Sequence, residues 1–251
     1  MAKAKDVLRI AAVGDVHCSR TGRGTLQPLF TQAAARADVL LLCGDVTDYG
    51  LAEEAEILVQ ELRVVGDMPV IGVLGNHDFE SGQADGVRRI LCDAGVTMLD
   101  GEACEVQGVG FAGVKGFAGG FGRGALGAWG ESAIKAFVQE AIDEALKLES
   151  ALARLRTPQR VAVLHYAPIE ATVVGEPCAI FPFLGSSRLE EPLERYGVRV
   201  VFHGHAHRGT PAGETHGGIP VYNVSLPLLR ETYPDQPGFR LFEVPRGADG
   251  T

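Results

Sequence analysis

Five runs of apolar residues punctuate the chain, and each stops at a polar residue of a similar kind. VLRIAAV (7–13) runs into GDVH, ADVLLLC (37–43) into GDVTD, MPVIGVL (68–74) into GNHD, RVAVL (160–164) into His165, and VRVVF (198–202) into HGHAH. Continuous Val, Ile and Leu stretches of this length predict strands buried on both faces. Helical patterns fall between and around them at 25–37, 51–66, 84–94, 131–155 and 187–196. Alternating strands and helices predict right-handed crossovers and a largely parallel central sheet. Further strand signals stand at 102–106, 109–114, 219–225 and 239–244. The first two, joined through Gln107-Gly108, predict a hairpin, and the four together predict a second sheet packed on the first. No repeat and no linker interrupts the pattern. One α/β domain is therefore expected over 1–245, with 246–251 as a loose tail.

In such sheets the ligand crevice lies beyond the carboxyl ends of the strands. Five strands ending in Asp, Asn or His would deliver Asp15, His17, Asp45, Asp48, Asn76, His77, Asp78, His165, His203 and His205 to one crevice. The last run is the most pointed. Three of the seven histidines fall within five residues, at 203, 205 and 207, and alternation sends them to one side of an extended backbone.

Composition narrows the picture without deciding it. With 251 residues, 46% hydrophobic and 22% charged, the chain can bury a large core. A net charge of −9 argues against a nucleic-acid binder that works through a broad basic surface. Five scattered cysteines, Cys18, Cys43, Cys92, Cys104 and Cys178, form no C-x-x-C pair and point to a reducing cytoplasm. The apolar start is interrupted by Arg9 and runs straight into GDVH, which does not fit a leader peptide. No stretch approaches the ~18 apolar residues of a membrane span.

Gathering so many ionisable groups in one buried crevice costs many kcal/mol in repulsion and desolvation unless a cation joins them. Carboxylate, imidazole and amide oxygen are all competent ligands for divalent metals. A mixed nitrogen and oxygen set without thiolate points to Mn, Fe, Zn or Co rather than to Mg alone. One metal would not use so many ligands, whereas two sharing a carboxylate would.

These motifs resemble those of the calcineurin-like metallophosphoesterase superfamily, whose string is D-x-H, G-D-x-x-D, G-N-H-[DE], H and G-H-x-H. Here it reads GDVH (14–17), GDVTD (44–48), GNHD (75–78), His165 and GHAH (204–207). The resemblance spans residues 14–207 and implies a four-layer αββα sandwich of two mixed sheets. It implies that Asp15, His17 and Asp45 hold a first metal with His207. Asp45 would bridge to a second metal completed by Asn76, His165 and His205. His77 would be the general acid at the leaving group, oriented by Asp48. HGHAH also allows the register 203/205, so His203 remains the alternative ligand. Two metals a few ångströms apart can activate a water between them for in-line attack on phosphorus.

The same pattern resembles the branch that contains cyclic-nucleotide and glycerophosphodiester phosphodiesterases, so a phosphodiesterase acting on a small substrate is expected. A phosphomonoesterase or a nucleotide pyrophosphatase is the near alternative, and a non-catalytic scaffold on the same fold is the distant one. Tyr49 stands where Ser/Thr protein phosphatases carry a phosphate-binding Arg, which disfavours that branch. Arg20, Arg23, Lys115, Arg123 and Arg208 are the substitutes that could anchor phosphate. GRGALG (122–127) spells G-x-G-x-x-G but lacks the closely preceding strand of a dinucleotide site. The long stretch 167–187 is expected to border the pocket.

Overall fold

The computed structural model describes residues 7–246. Its two sheets share the runs that the hydrophobic pattern marks. The first sheet holds β1 (Val7–Val13), β2 (Val39–Cys43), β3 (Val70–Val73), the short β4 (Thr97–Met98) and β11 (Arg240–Pro245), in the order β11-β1-β2-β3-β4. β1 to β4 run parallel and β11 closes the edge antiparallel. The second sheet holds β5 (Glu102–Val106), β6 (Val109–Val114), β7 (Gln159–Leu164), β8 (Val200–His203), β9 (Ala212–Glu214) and β10 (Pro220–Asn223), in the order β5-β6-β7-β8-β10-β9. Its four central strands are parallel and both edges antiparallel.

Strand alternation builds the layers. Leu8, Ile10 and Ala12 of β1 and Val39 and Leu41 of β2 face Phe111, Val161, Val163 and Phe202 between the sheets. Their neighbours Ala11, Val13, Leu40 and Leu42 face outward, under α1 (Gln27–Arg36), α2 (Ala52–Leu62) and α3 (Ala84–Asp93). Ala112, Leu164 and Val201 likewise turn outward to α4 (Ser132–Arg154) and α6 (Glu190–Arg195). A strand with apolar residues on both faces can only be stable between two other layers, so the continuous runs dictate an α-β-β-α stack.

The hairpin turns through Gln107 and Gly108 with φ of 51° and 80°, the pair of positive φ angles that a two-residue turn needs. Beside it, Arg246 hydrogen-bonds the Gln107 side chain, and the rest of the expected tail lies outside the described residues. Two short helices, α5 (Phe181–Leu184) and α7 (Leu226–Thr232), and the strands β4 and β9 carry no clear pattern in sequence. The helix expected at 51–66 ends as a 3-10 turn at 63–65, and that at 187–196 opens with one. One expectation needs correcting. The five strands whose ends carry the polar motifs do not belong to one sheet: β1, β2 and β3 lie in the first, β7 and β8 in the second.

Candidate metal centre

The crevice therefore opens where the parallel strands of the two sheets end together. Gly14 N donates to Val224 O (2.9 Å) across the sheets, and His165 Nδ1 meets the carbonyl oxygen of Cys43 at 3.0 Å. The turns after β1 and β2 run side by side, with Asp15 N on Gly44 O and His17 N on Asp45 O, both at 3.0 Å. Glycines allow this approach. A Cβ on Gly75 would sit 2.2 Å from Asp45 Oδ1, and one on Gly44, whose φ is +80°, 2.4 Å from His165 Nδ1.

Backbone strain is concentrated here. Among the described residues five non-glycines have positive φ: Gln107 of the hairpin, and Asp15 (54°), His17 (42°), Asp45 (47°) and His205 (70°). Left-handed backbone costs about 1–2 kcal/mol per non-glycine residue. Four such residues in one crevice are held by the bonds between the turns, Asp15 N on Gly44 O and His17 N on Asp45 O, and by His205 N on the Asp15 carboxylate.

The side chains meet in three groups whose ligand atoms lie within 4.8 Å of one another: Asp15, His17 and His207; His17, Asp45 and His77; and Asp45, His165 and His205. Asn76 belongs beside the third, with Oδ1 2.9 Å from His165 Nε2. Asp15 and Asp45 are buried, at 2% and 1% exposure.

The hydrogen bonds select the nitrogens that are left over. In the neutral imidazole of His165 the proton sits on Nδ1, given to Cys43 O. Nε2 then presents a lone pair to two acceptors, Asn76 Oδ1 at 2.9 Å and Asp45 Oδ1 at 3.4 Å. A divalent cation would satisfy all three atoms at once in this buried space. His17 Nε2 is buried with no hydrogen-bond partner at all, the nearest carboxylate oxygen of Asp45 being 3.9 Å away. His205 gives Nε2 to the carbonyl of Phe183 (3.1 Å) and keeps Nδ1. The residues present thus fit a divalent-metal group, and their second nitrogens are tied down in the manner of metal-site histidines.

The charges agree. Burial would raise the Asp15 carboxyl, but the hydrogen bond from His207 and the imidazoles gathered around it outweigh burial and leave it at about 2. His207 is raised, chiefly by that same hydrogen bond, 3.1 Å from Nε2 to Asp15 Oδ1. Burial brings His205 down to about 3, so it stays neutral and able to ligate.

His77 is placed differently. Its Nδ1 reaches the main-chain carbonyl of Asp48 at 2.7 Å, while the Asp48 carboxylate stands 3.5 Å from His17 Nδ1. Asp48 therefore meets His77 through its backbone and His17 through its side chain. Burial would lower the His77 pKa, but the bond to Asp48 and the charges of Asp45, Glu80 and Asp48 raise it above the ordinary value. His203 is fully buried, giving Nδ1 to Gly204 O and meeting Thr172 Oγ1 with Nε2, both at 2.8 Å. It belongs to none of the three groups.

Two residues shape the site that the sequence left without a role. Asp78 accepts from Thr47 N (2.8 Å), the Thr47 hydroxyl, Gly75 N (2.7 Å) and Val46 N (3.2 Å). It ties the turn after β2 to the turn after β3, and burial pushes its pKa up to about 6. Asn223 donates to Ala206 O (2.7 Å) between His205 and His207 and accepts from Ser225 N (3.2 Å). It ends β10, so the strand-end rule applied to a sixth strand would have found it.

Several decoys resolve. GRGALG lies in a loop between β6 and α4 that carries a 3-10 turn. Gly119 and Gly120 donate to Pro182 O and Gly185 O, so that loop packs on the segment whose Phe183 carbonyl meets His205. Cys18 is buried, with its thiol pushed up to about 12 by desolvation. The exposed His216 pairs with Glu190 at 2.7 Å. A surface cavity of about 720 Å³ between α1 and the 234–241 segment shares no residue with the histidine groups.

A family model described as calcineurin-like phosphoesterase matches residues 8–209. The chain belongs to that family. Membership makes it a metal-dependent phosphoesterase, and the family works with a binuclear divalent-metal centre. Among solved structures it resembles phosphopantetheinyl hydrolase from Mycobacterium tuberculosis, at 17% identity and TM-score 0.65, over 98% of this chain and 100% of that one. It resembles GAP50, the anchor in the inner membrane complex of Plasmodium, at 14% identity and TM-score 0.54, over 89% and 73%. It also resembles purple acid phosphatase PPD1 from yellow lupin, at 12% identity and TM-score 0.54, over 80% and 38%. These likenesses are of fold. No curated protein matches the chain. Among the described residues no helix is long and apolar enough to cross a membrane.

Proposed function

We propose that this chain is a two-metal hydrolase of small phosphodiesters, with a first site of Asp15, His17, Asp45 and His207 and a second of Asp45, Asn76, His165 and His205. The observation that carries this reading is the convergence on Asp45 of two imidazole nitrogens, His17 Nε2, which has no hydrogen-bond partner, and His165 Nε2, which faces Asp45 Oδ1 and Asn76 Oδ1. The register 205/207 is favoured over 203/205 because both nitrogens of His203 are engaged elsewhere. When bound, the metals supply an activated water and hold the phosphate oxygens.

The chain's own residues do the rest. His77 keeps a proton on Nδ1 for Asp48 O and presents Nε2 to the crevice. Its raised pKa keeps that second nitrogen protonated closer to neutrality, so it can give the proton to the departing alkoxide. The sign follows: activity that needs protonated His77 is full at low pH and falls as pH rises through its raised pKa. His77→Ala is expected to lose about 10²–10⁴-fold in kcat on esters with alkyl leaving groups and to lose the alkaline limb of the profile. The loss should be far smaller for a 4-nitrophenolate leaving group, which needs no proton. Equal losses for both leaving groups would exclude His77 as the acid.

The deciding assay compares bis-4-nitrophenyl phosphate with 4-nitrophenyl phosphate in the presence of Mn. Faster cleavage of the diester, lost on chelation and restored by Mn, is the expected result. Faster cleavage of the monoester would move the assignment to a phosphomonoesterase. Protein that binds no metal after Mn supply would point instead to a scaffold. Mn, Fe, Zn and Co all suit this donor set, and elemental analysis of the purified protein names the native pair. The five cysteines, all free thiols, support a reducing cytoplasm.

A further inference from the structure

Of the five cations that sequence offers as phosphate anchors, Arg20, Arg23, Arg123 and Arg208 are exposed, and only Lys115 is half-buried. Its carbonyl accepts from His165 N (3.1 Å) and Tyr166 N (3.0 Å), so its backbone is tied to the end of β7. Its ammonium is cupped by three rings, with centroids at 4.8 Å for Phe117, 5.3 Å for Tyr166 and 5.6 Å for Phe79. One of those rings, Tyr166, borders the metal centre. Phe79 follows His77 by two residues, and Tyr166 packs 4.3 Å from the His205 ring. Lys115 also lines a cavity of about 90 Å³ with Leu74, Phe79, Arg88, Asp85 and Asp100.

This ammonium is left without a counter-ion. The nearby carboxylates Glu144 and Asp100 are both taken by Lys147, at 2.7 and 3.1 Å, and the other oxygen of Glu144 accepts from Gly116 N at 2.7 Å. Glu140 acts on Lys115 only at longer range, and among the described residues no carboxylate lies within ion-pair distance of it. Its one polar contact is the adjacent carbonyl of Gly116, at 2.8 Å. A half-buried cation with one hydrogen bond has donors to spare, and cation–π contact leaves its positive charge uncompensated.

We propose that Lys115 binds a second anionic group of the substrate, a carboxylate or a further phosphate carried on the leaving-group side, with Phe79 and Tyr166 flanking the connecting atoms. This rests on the phosphoester reading of the metal centre. It narrows the substrate class to phosphoesters whose alcohol is itself anionic.

The test is binding rather than turnover. Mn-loaded protein, freed of excess metal, is titrated calorimetrically with inorganic phosphate, with alkylphosphonates, and with ω-carboxyalkylphosphonates of matched chain length. At one chain length the carboxylate is expected to tighten binding to the wild type at least about tenfold, or 1.4 kcal/mol. Lys115→Met should abolish that gain while leaving the alkylphosphonates unchanged, and Lys115→Arg should keep part of it. Should the Met variant unfold, Lys115→Gln removes the charge and keeps a polar head. No gain at any length overturns the proposal. So does a gain that survives in Lys115→Met, because the carboxylate would then be chelating metal. If phosphate and every phosphonate fail to bind the wild type, the phosphoester reading itself falls, and this inference falls with it.

Discussion

Asp45→Asn is expected to cut hydrolysis of bis-4-nitrophenyl phosphate by about a thousandfold or more, and to lower the metal content from two per chain to one or none. Asp45 is the carboxylate shared by two of the three ligand groups. Its oxygens face His17 Nε2 at 3.9 Å and His165 Nε2 at 3.4 Å, and Oδ1 also accepts from His77 N at 2.8 Å. An amide of the same shape removes the charge that both metals would share. The substitution is also the cleanest available. Asp45 has φ of 47°, and Asn tolerates left-handed backbone as well as Asp does, so the metal-free protein should melt as the metal-free wild type does. Activity retained in this variant would mean that the ligand assignment is wrong.

Asp78→Ala should act through stability. The carboxylate is wholly buried and gathers three main-chain N–H groups and one hydroxyl from two different turns. Truncation leaves four donors without an acceptor. At about 1 kcal/mol for each, the loss is on the order of 4 kcal/mol, read as a shift of the urea midpoint. Val46 and Thr47 follow Asp45 directly, and Gly75 precedes Asn76, so the turns that aim two of the proposed ligands lose their common anchor. Turnover should fall even under conditions where the variant is folded. An unfolding midpoint close to that of the wild type would show that water or neighbouring side chains satisfy those donors, and that Asp78 is not the tie between the turns.

Much of this architecture is readable in the pattern of the chain. The uninterrupted Val, Ile and Leu runs can only be strands covered on both sides, and their alternation of inner and outer residues appears in β1 and β2 residue by residue. The hairpin at Gln107-Gly108 follows from local turn chemistry. The elements that escaped, β4, β9, α5 and α7, are between two and seven residues long. Segments so short have too few positions to display a period, and contacts with the rest of the molecule decide their conformation.

The metal centre divides along the same line. Polar residues at the ends of buried strands told which side chains would gather, because parallel strands with helical crossovers send their carboxyl ends to one edge. What pattern could not tell is that the strands split between two sheets, since the same apolar run suits either one. That His205 and His207 join the groups of side chains in the crevice while His203 does not was equally closed to it. Alternation gives the three one side in an extended chain, but the chain leaves the strand at His203, and His205 takes φ of 70°. Which imidazole nitrogen is free depends on the carbonyl of Cys43, the carbonyl of Phe183 and the hydroxyl of Thr172. For Lys115 likewise, sequence supplies the cation and only tertiary structure removes its counter-ions. The sequence by itself determined the layers and the chemistry of the crevice, because periodicity and residue type are local properties. The placement of the three histidines, the partners of their ring nitrogens and the surroundings of Lys115 were decided by residues far apart in the chain, through contacts that exist only after folding.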